Sequence, residues 1–403
     1  MPATISKHNL YLVHLIACAL HGRVPQPLPE NTSWEDIFAS AKRNAVATTC
    51  AFAVAKAPTA NTAERKRWQT EVDQNLLRHV TFDMEREAIY SAMDNANLSY
   101  LPLKGIVISR EYPRPEMRWM CDNDILFGAL NASGVPTYAT PADACKLQEI
   151  MHSLGYTTAH FGAGNHDSYK KAPILNMEMH HDLISRSVAF CSYYENPWQR
   201  ARKNQRAGTG AYVFSHEDTY LFHIAHMYKH FSSAGCGVRG LADEWVLMHT
   251  WGATMNRAYL DAELEKLGLV DFEHKLWHLA NACIENDACG RMLANEKDTI
   301  DPECVDMLAY LLGSGTYGTF TNRVKNQLAK EASTHGEKGL RTRYLLKRAF
   351  PSPRQLKECY PVLARAPWAI PGAYVFRLVT KPFMRRKQLA TELSIVKRKG
   401  NNK

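Results

Sequence analysis

Asp122-Asn123-Asp124 stands in the run Met120 to Phe127, whose mix of short apolar and polar residues reads as a β-strand. Successive side chains of a strand point to opposite faces, so both carboxylates fall on one face and converge. Like charges that close repel each other unless a cation neutralises them, and hard oxygen ligands suit Mg²⁺, with Mn²⁺ as the alternative. The run Ile174 to His180 has the same period, with Asn176, Glu178 and His180 on one face and Leu175, Met177 and Met179 on the other. Glu178 is therefore a candidate third carboxylate. If the two strands are neighbours, Asp122, Asp124 and Glu178 surround a site for two metal ions that bridge phosphates and activate a hydroxyl.

Gly105 directly follows an apolar run, Leu98 to Leu103, and lets backbone come close to a phosphate. Lys104 supplies a positive charge there, and Arg118 is a second candidate for a triphosphate contact. Each signal has a plainer reading. An Asp-x-Asp triplet is common by chance and occurs in metal-dependent glycosyltransferases that use nucleotide sugars, although the close glycine turn argues against those. His223, His226 and His230 share a helical face, but among Tyr220, Phe222, Tyr228 and Phe231 they read as structural. His180, His181 and Asp182 either orient a ligand or close a strand end. Arg239 and Asp243 have the spacing of an ion pair within one helix.

The elements that must position these residues follow from local pattern. Leu98 to Leu103, Lys104-Gly105 and Ile106 to Tyr112 read as strand, turn and helix, which Pro113 and Pro115 end. After the Met120 to Phe127 strand, Ser133 to Pro141 is a loop. Pro141 to Leu154 is a helix stopped by Gly155, and Tyr156 to His160 and Ile174 to His180 are strands. Ahead of this unit lie helices, including Trp34 after a cap at Ser33 and the long stretch Trp68 to Met93 without Gly or Pro. Behind it, helical periodicity runs through Tyr220 to Phe231, Leu241 to His249, Tyr259 to Leu267, Glu273 to Cys283 and Val305 to Leu312. The expected fold class is α+β, a small mixed-sheet core flanked by N-terminal and C-terminal helical regions. Its divisions fall at 1–97, 98–190, 191–350 and a basic tail at 351–403.

Leu103-Lys-Gly105, Tyr112-Pro113, Arg118, Asp122-Asn-Asp-Ile-Leu126, Gly155-Tyr156 and Glu178-Met-His180, taken together, resemble the uncharacterised nucleotidyltransferase family of the DNA polymerase β superfamily. The resemblance is strongest from Leu101 to His181. It implies that Asp122, Asp124 and Glu178 take the places of the superfamily's acidic pair and third acid. Ile106 follows the glycine where the superfamily usually has a small residue, which implies a different handling of phosphate. The activity implied is transfer of a nucleoside monophosphate from a nucleoside triphosphate to an acceptor hydroxyl, such as that of a sugar or surface-glycan precursor. The rival is a non-catalytic nucleotide-binding or membrane-peripheral protein on the same fold.

Composition fits a soluble globular chain, with 45% apolar and 22% charged residues in 403. The ten scattered cysteines, without a CxxC pair, suit a reducing cytoplasm. The apolar run Leu10 to Leu20 is interrupted by His14 and has helical spacing, so it reads as an amphipathic helix instead of a signal peptide. Residues 323–403 hold 20 Lys/Arg against 4 Asp/Glu, which exceeds the net +9 of the whole chain and leaves the remainder acidic. Such a tail meets an anionic membrane surface, an acidic partner or nucleic acid. Nucleic acid is the weakest of these, because few aromatics beyond Phe376 and Phe383 interleave with the bases. Trp368 to Arg377, with Lys381, Arg385, Arg386 and Lys387, either lies on a bilayer at the inner face of the membrane or packs on the helical domain. Packing is the simpler expectation.

Overall fold

In the computed structural model the described residues are 5–162, 164–186, 188–296, 300–353, 356, 360, 362–384 and 386–398. They fall into two units, residues 1–228 with 237–316 and residues 229–236 with 317–403. The N-terminal helices, the mixed sheet and the helices up to residue 316 thus belong to one unit.

The helices of the chain through residue 316 are α1 (Lys7–His21), α2 (Trp34–Arg43), α3 (Ala47–Val54), α4 (Thr62–Asn95), α5 (Gly105–Ile108), α6 (Pro141–Ser153), α7 (His216–Phe231), α8 (Arg239–Trp251), α9 (Arg257–Leu267), α10 (Val270–Ala280), α11 (Ala288–Leu293) and α12 (Pro302–Ser314). The strands are β1 (Leu98–Pro102), β2 (Asn123–Leu130), β3 (Pro136–Tyr138), β4 (Thr157–His160), β5 (His166–Lys171), β6 (Leu175–His180), β7 (Arg202–Lys203) and β8 (Tyr212–Val213). The main sheet runs β1-β2-β6-β5-β4, with β3 on the far end of β2 and β7–β8 a separate pair. All its neighbours are antiparallel except β2 and β6, which are parallel and align Asp124 with Glu178. The sheet is therefore mixed, and the chain is α+β with helical flanks.

Strand β2 starts at Asn123, so Asp122 sits one residue before it instead of inside it. The helix expected over Ile106 to Tyr112 shrinks to the single turn α5 followed by a 3-10 turn, Ser109–Glu111. Such a short helix gives little N-terminal dipole to hold an anion. Strand β5 has no apolar alternation to announce it, with His166, Ser168 and Lys170 on one face and Asp167, Tyr169 and Lys171 on the other.

One face of the sheet is buried in a core of Ile125, Phe127, Tyr169, Leu175, Met177 and Met179, packed with Leu147 and Met151 of α6 and Phe82, Ile89 and Met93 of α4. Each such side chain contributes about 1.5–3 kcal/mol on burial, and a slip of one residue would turn all of them out. That penalty fixes the register and hence the opposite face, which carries Asp124, Glu178, His180 and His166.

Helix α4, 34 residues long, begins with a capping box between Asn61 and Glu64. Its buried residues, Trp68, Val72, Asn75, His79, Phe82, Arg86, Ile89 and Met93, recur every three or four positions along one stripe. Three of them are polar, and each is used. Asn75 Nδ2 donates to the carbonyls of Glu116 and Arg118 at 2.8 and 3.0 Å, His79 Nε2 lies 3.0 Å from the Arg118 carbonyl, and Arg86 donates to the Asn123 side chain. Thr48 and Thr49 of α3 donate to the Met117 carbonyl at 2.8 and 2.7 Å. The segment leading into Asp122 is thus held from two helices.

Among the later helices, the buried Tyr220 hydroxyl lies 2.6 Å from Glu244 Oε1 and 2.8 Å from Glu273 Oε1. A hydroxyl carries one proton, so one of the two carboxyls must be protonated to donate back. Glu273 takes a bidentate pair from Arg257, at 2.7 and 3.0 Å, and is the charged one. Glu244 is the neutral one, because burial, reinforced by the Glu273 charge, pushes its carboxyl up to about 8 against a stabilising bond from Tyr220. A carboxyl raised in the folded state contributes stability below its unfolded value, and that contribution is lost as pH rises through the folded value. Thermal melts should therefore show wild-type stability falling between about pH 5 and 9, with a flatter profile in Glu244→Gln.

The second unit contains α13 (Phe320–His335), α14 (Leu340–Ala349), α15 (Val362–Arg365), α16 (Ile370–Met384) and α17 (Arg386–Arg398). Val324, Leu328, Leu340, Tyr344 and Val396 form its core, and Glu392 accepts from Tyr344 and Arg348 at 2.6 and 2.9 Å. Helix α16 packs through Tyr374, whose hydroxyl donates to the Pro351 carbonyl at 2.7 Å. Among the described residues Val375, Phe376, Leu378 and Val379 of the same helix are exposed, as is Trp368 before it. Arg385 and the side chains of Lys381, Arg386 and Lys387 lie outside the described residues. No helix of the described residues is long and apolar enough to cross a membrane, and no disulfide joins the described cysteines.

Candidate active site

Parallel pairing of β2 and β6 brings the second and third acids together without any loop contributing, since Asp124 and Glu178 are register partners. Asn123 points to the opposite side, towards α4, as strand alternation requires. Asp122, on the approach to β2, feels Asp124, Lys104, Arg118 and Arg239 electrostatically. It makes no hydrogen bond or ion pair among the described residues.

The Lys104 turn is fastened to β2 by the Leu103 amide, which donates to the Asp124 carbonyl at 2.9 Å. Lys104 Nζ then reaches Asp124 Oδ1 at 2.5 Å. His180 Nε2 lies 2.8 Å from the same oxygen. Asp124 is buried, which alone would raise its carboxyl, but the Lys104 charge and the bonds from His180 and Lys104 hold it far below the usual range. The other two acids move the opposite way. Burial and the Asp124 charge raise Asp122, while burial, Asp124 and Asp122 push Glu178 up to about 7. One carboxylate is thus neutralised from within the chain, and two lack full compensation. That donor set fits divalent cations held by Asp122, Asp124 and Glu178, with the Lys104 charge and a hydrogen bond from His180 stabilising the buried Asp124 in their absence.

The turn differs from its sequence reading in which residue needs special backbone freedom. Lys104 carries the positive φ, 47° with ψ −119°, a conformation that costs a side-chain-bearing residue of order 1–3 kcal/mol. Its ion pair with Asp124 offsets that strain. Gly105 has an ordinary backbone, and its lack of a side chain serves another purpose, because a Cβ there would sit 2.7 Å from Arg118 Nη1. Arg118 cannot swing aside: its Nε and Nη2 donate to Asp243 Oδ1 and Oδ2 at 2.7 and 2.8 Å. Gly105→Ala should accordingly lower stability by about 1–3 kcal/mol, the range for an overpacked core, as read from denaturant midpoints.

Arg118 is therefore a buried, bidentate partner of Asp243, which also accepts from the Tyr112 hydroxyl at 2.7 Å. The ion pair of Asp243 is with Arg118 and not with Arg239, its neighbour on α8; Arg239 Nη1 donates instead to the Trp119 carbonyl at 3.4 Å. Of the six residues singled out from sequence, Asp122, Asp124, Glu178 and Lys104 come together directly, Gly105 frames them, and Arg118 stands behind Gly105. Sequence reasoning missed His166, whose strand has no apolar alternation, and the long-range roles of Asp243 and Tyr112. His180 has two roles open to it, orienting a ligand or closing a strand end, and its contact with Asp124 places it beside the acids.

A family model described as an uncharacterised nucleotidyltransferase matches residues 30–285, which takes in α2 to α4, the whole of the main sheet and the helices as far as α10. No curated protein matches the chain, and neither does any solved structure. Because the matched span is well over half of the 403 residues and contains every element that carries the acidic site, the chain belongs to the uncharacterised nucleotidyltransferase family, a membership that indicates nucleotidyl transfer in general.

Proposed function

We propose that the chain transfers a nucleoside monophosphate from a nucleoside triphosphate to a hydroxyl-bearing acceptor, such as a sugar or surface-glycan precursor, and releases pyrophosphate. The observation that carries this reading is the Asp124–Glu178 register pair, with Asp122 and Lys104 converging on it. Asp122, Asp124 and Glu178 would hold Mg²⁺ or Mn²⁺, which when bound would neutralise phosphate charge and lower the cost of ionising the acceptor hydroxyl. Glu178, with its carboxyl near neutrality, accepts the hydroxyl proton. The acceptor oxygen then forms a bond to the α-phosphorus as the bond to pyrophosphate breaks. Lys104 exchanges its contact with Asp124 for the triphosphate, and Gly105 leaves room for it. Arg118 keeps its place against Gly105 and supports the triphosphate pocket from behind.

Incubation with each labelled nucleoside triphosphate and a panel of hydroxyl acceptors tests this reading, with Asp122→Ala as the control. Labelled product from wild type and its loss in the variant support it, and equal product from both overturns it. Metal-dependent nucleotide binding without turnover across the panel would leave the chain a nucleotide-binding module.

A second reading concerns the other unit and rests on the exposed Trp368, Val375, Phe376 and Val379 in a basic tail. Apolar side chains beside bases suit the inner, anionic face of a membrane, with the protein peripheral to it. In vesicle sedimentation, anionic vesicles should retain the full chain at low salt. Val375→Asp/Phe376→Asp should release it, and retention of that variant would overturn the reading.

A further inference from the structure

We propose that His166, Glu178 and His180 form a binding site for a borderline first-row divalent cation, of the Mn²⁺ to Zn²⁺ class, on the open face of the sheet beside Asp124. The strand register sets the three side by side. His166 is the partner of His180 across the β5–β6 ladder, and Glu178 lies two residues earlier on β6, so all share one face. His166 Nε2 and His180 Nε2 lie 3.7 and 3.8 Å from the same Glu178 oxygen, Oε2, and the three donor atoms are all within 4.8 Å of one another. A cation at about 2.0–2.2 Å from each would draw them to roughly 3–3.5 Å apart, a contraction that side-chain rotation supplies.

The donor chemistry selects the ion. Mg²⁺ takes oxygen ligands in near-ideal octahedra, whereas imidazole nitrogen suits Zn²⁺ and the transition metals. In the metal-free protein His180 Nε2 hydrogen-bonds Asp124. When Nε2 takes a metal, the ring proton resides on Nδ1, which lies 3.4 Å from the Asp182 carbonyl oxygen and 3.3 Å from the Asn165 side-chain amide. A carbonyl on the far nitrogen is the usual means of orienting a metal-bound imidazole. His166 Nδ1 is buried without a hydrogen-bond partner, while Nε2 of the same ring faces Glu178. The His166 ring also lies 5.0 Å from that of His180, so Nε2 already stands where a ligand shared with Glu178 and His180 would hold it.

The other cluster of metal-capable side chains among the described residues, His14, Cys18 and Asp287, lacks this openness. His14 Nδ1 is 2.8 Å from Asp287, its Nε2 accepts from the Gln26 amide at 2.9 Å, and burial pushes the Cys18 thiol up to about 12. Asp287 also accepts from the Gly290 amide at 3.1 Å and the sulfur stays protonated, so that cluster is a structural clasp.

The sheet site rests on the nucleotidyl-transfer reading in sharing Glu178 with it, and adds a nitrogen-ligated position beside Asp122 and Asp124. Metal affinity is measured without nucleotide, so each can fail alone. The full chain, stripped with chelator, is titrated with Co²⁺ by visible absorption and with Mn²⁺ by pulsed electron paramagnetic resonance. Wild type should bind Co²⁺ with a nitrogen-ligated band that Zn²⁺ displaces and 100-fold excess Mg²⁺ does not, and bound Mn²⁺ should show nitrogen hyperfine coupling. His166→Ala and His166→Gln should each weaken Co²⁺ binding by at least about 10- to 100-fold, with circular dichroism in chelator confirming the fold. Unchanged affinity in both variants, displacement of Co²⁺ by equimolar Mg²⁺, or absence of nitrogen coupling in wild type would overturn the site. Transfer activity supported by Mg²⁺ alone, without a Co²⁺ site, would overturn it and leave the proposed function standing. A nitrogen-ligated site without transfer would do the reverse.

Discussion

Asp122→Asn is expected to lower nucleotidyl transfer by at least about 10²- to 10³-fold while leaving the melting temperature unchanged or slightly raised. The two effects have one cause. Asp122 has no hydrogen bond or ion pair among the described residues, and burial together with the Asp124 charge raises its carboxyl. The attraction of Lys104, Arg239 and Arg118 offsets this only in part. Its charge is therefore unfavourable in the folded, metal-free chain, and an isosteric amide removes the repulsion at a gain of roughly 0–1 kcal/mol. Such a cost to stability is what the proposed catalytic role of Asp122 predicts. Asp124→Asn should behave differently and lose stability as well as activity, because Lys104 would be left without its carboxylate partner. Denaturant titration beside the labelled-nucleotide assay separates the two variants. Full transfer by Asp122→Asn would remove that residue from the active site, and a loss above about 1 kcal/mol would make it a structural anchor.

Asp243→Ala should be the most damaging single change outside the acidic cluster, at about 3–5 kcal/mol of stability. It removes both oxygens from Arg118 and the acceptor of the Tyr112 hydroxyl, leaving a buried guanidinium without its counter-charge. Breaking one side of a buried ion pair costs far more than the pair contributes, so the double variant Arg118→Met/Asp243→Leu should recover most of the loss. It should not recover activity, because the guanidinium that backs Gly105 is gone. A double-mutant cycle with chemical denaturation measures the coupling, and additive losses would show that the two residues act independently.

The sheet and its acids were legible in the sequence where physics is local. Met177 and Met179 alternate with Glu178 and His180, and a half-buried strand leaves that mark. Thr140 and Asp143 cap α6 as the Pro141 start suggested. What escaped was long-range or unpatterned. Strand β5 carries only Tyr169 into the core among polar residues, so no apolar alternation announces His166. Asp243 has Arg239 at helical spacing, and nothing local says that Arg118, 125 residues away, takes the carboxylate instead. At Lys104-Gly105 the glycine drew attention, yet the unusual φ belongs to the lysine. A lysine gives no sign of bearing strain until its ion pair is visible.

Because Asp124 and Glu178 are adjacent through backbone pairing of β2 and β6, their separation is independent of how much chain lies between residues 130 and 175. The turn at Ser133-Gly134 is exposed and lies in that interval. Closing a longer loop there costs only about 0.6 kcal/mol per doubling, so the fold offers a point where length can vary freely. An added segment could bring new acceptor-recognising surface to the chain while the carboxylates stay in place, which makes this connection the natural site of modular diversification.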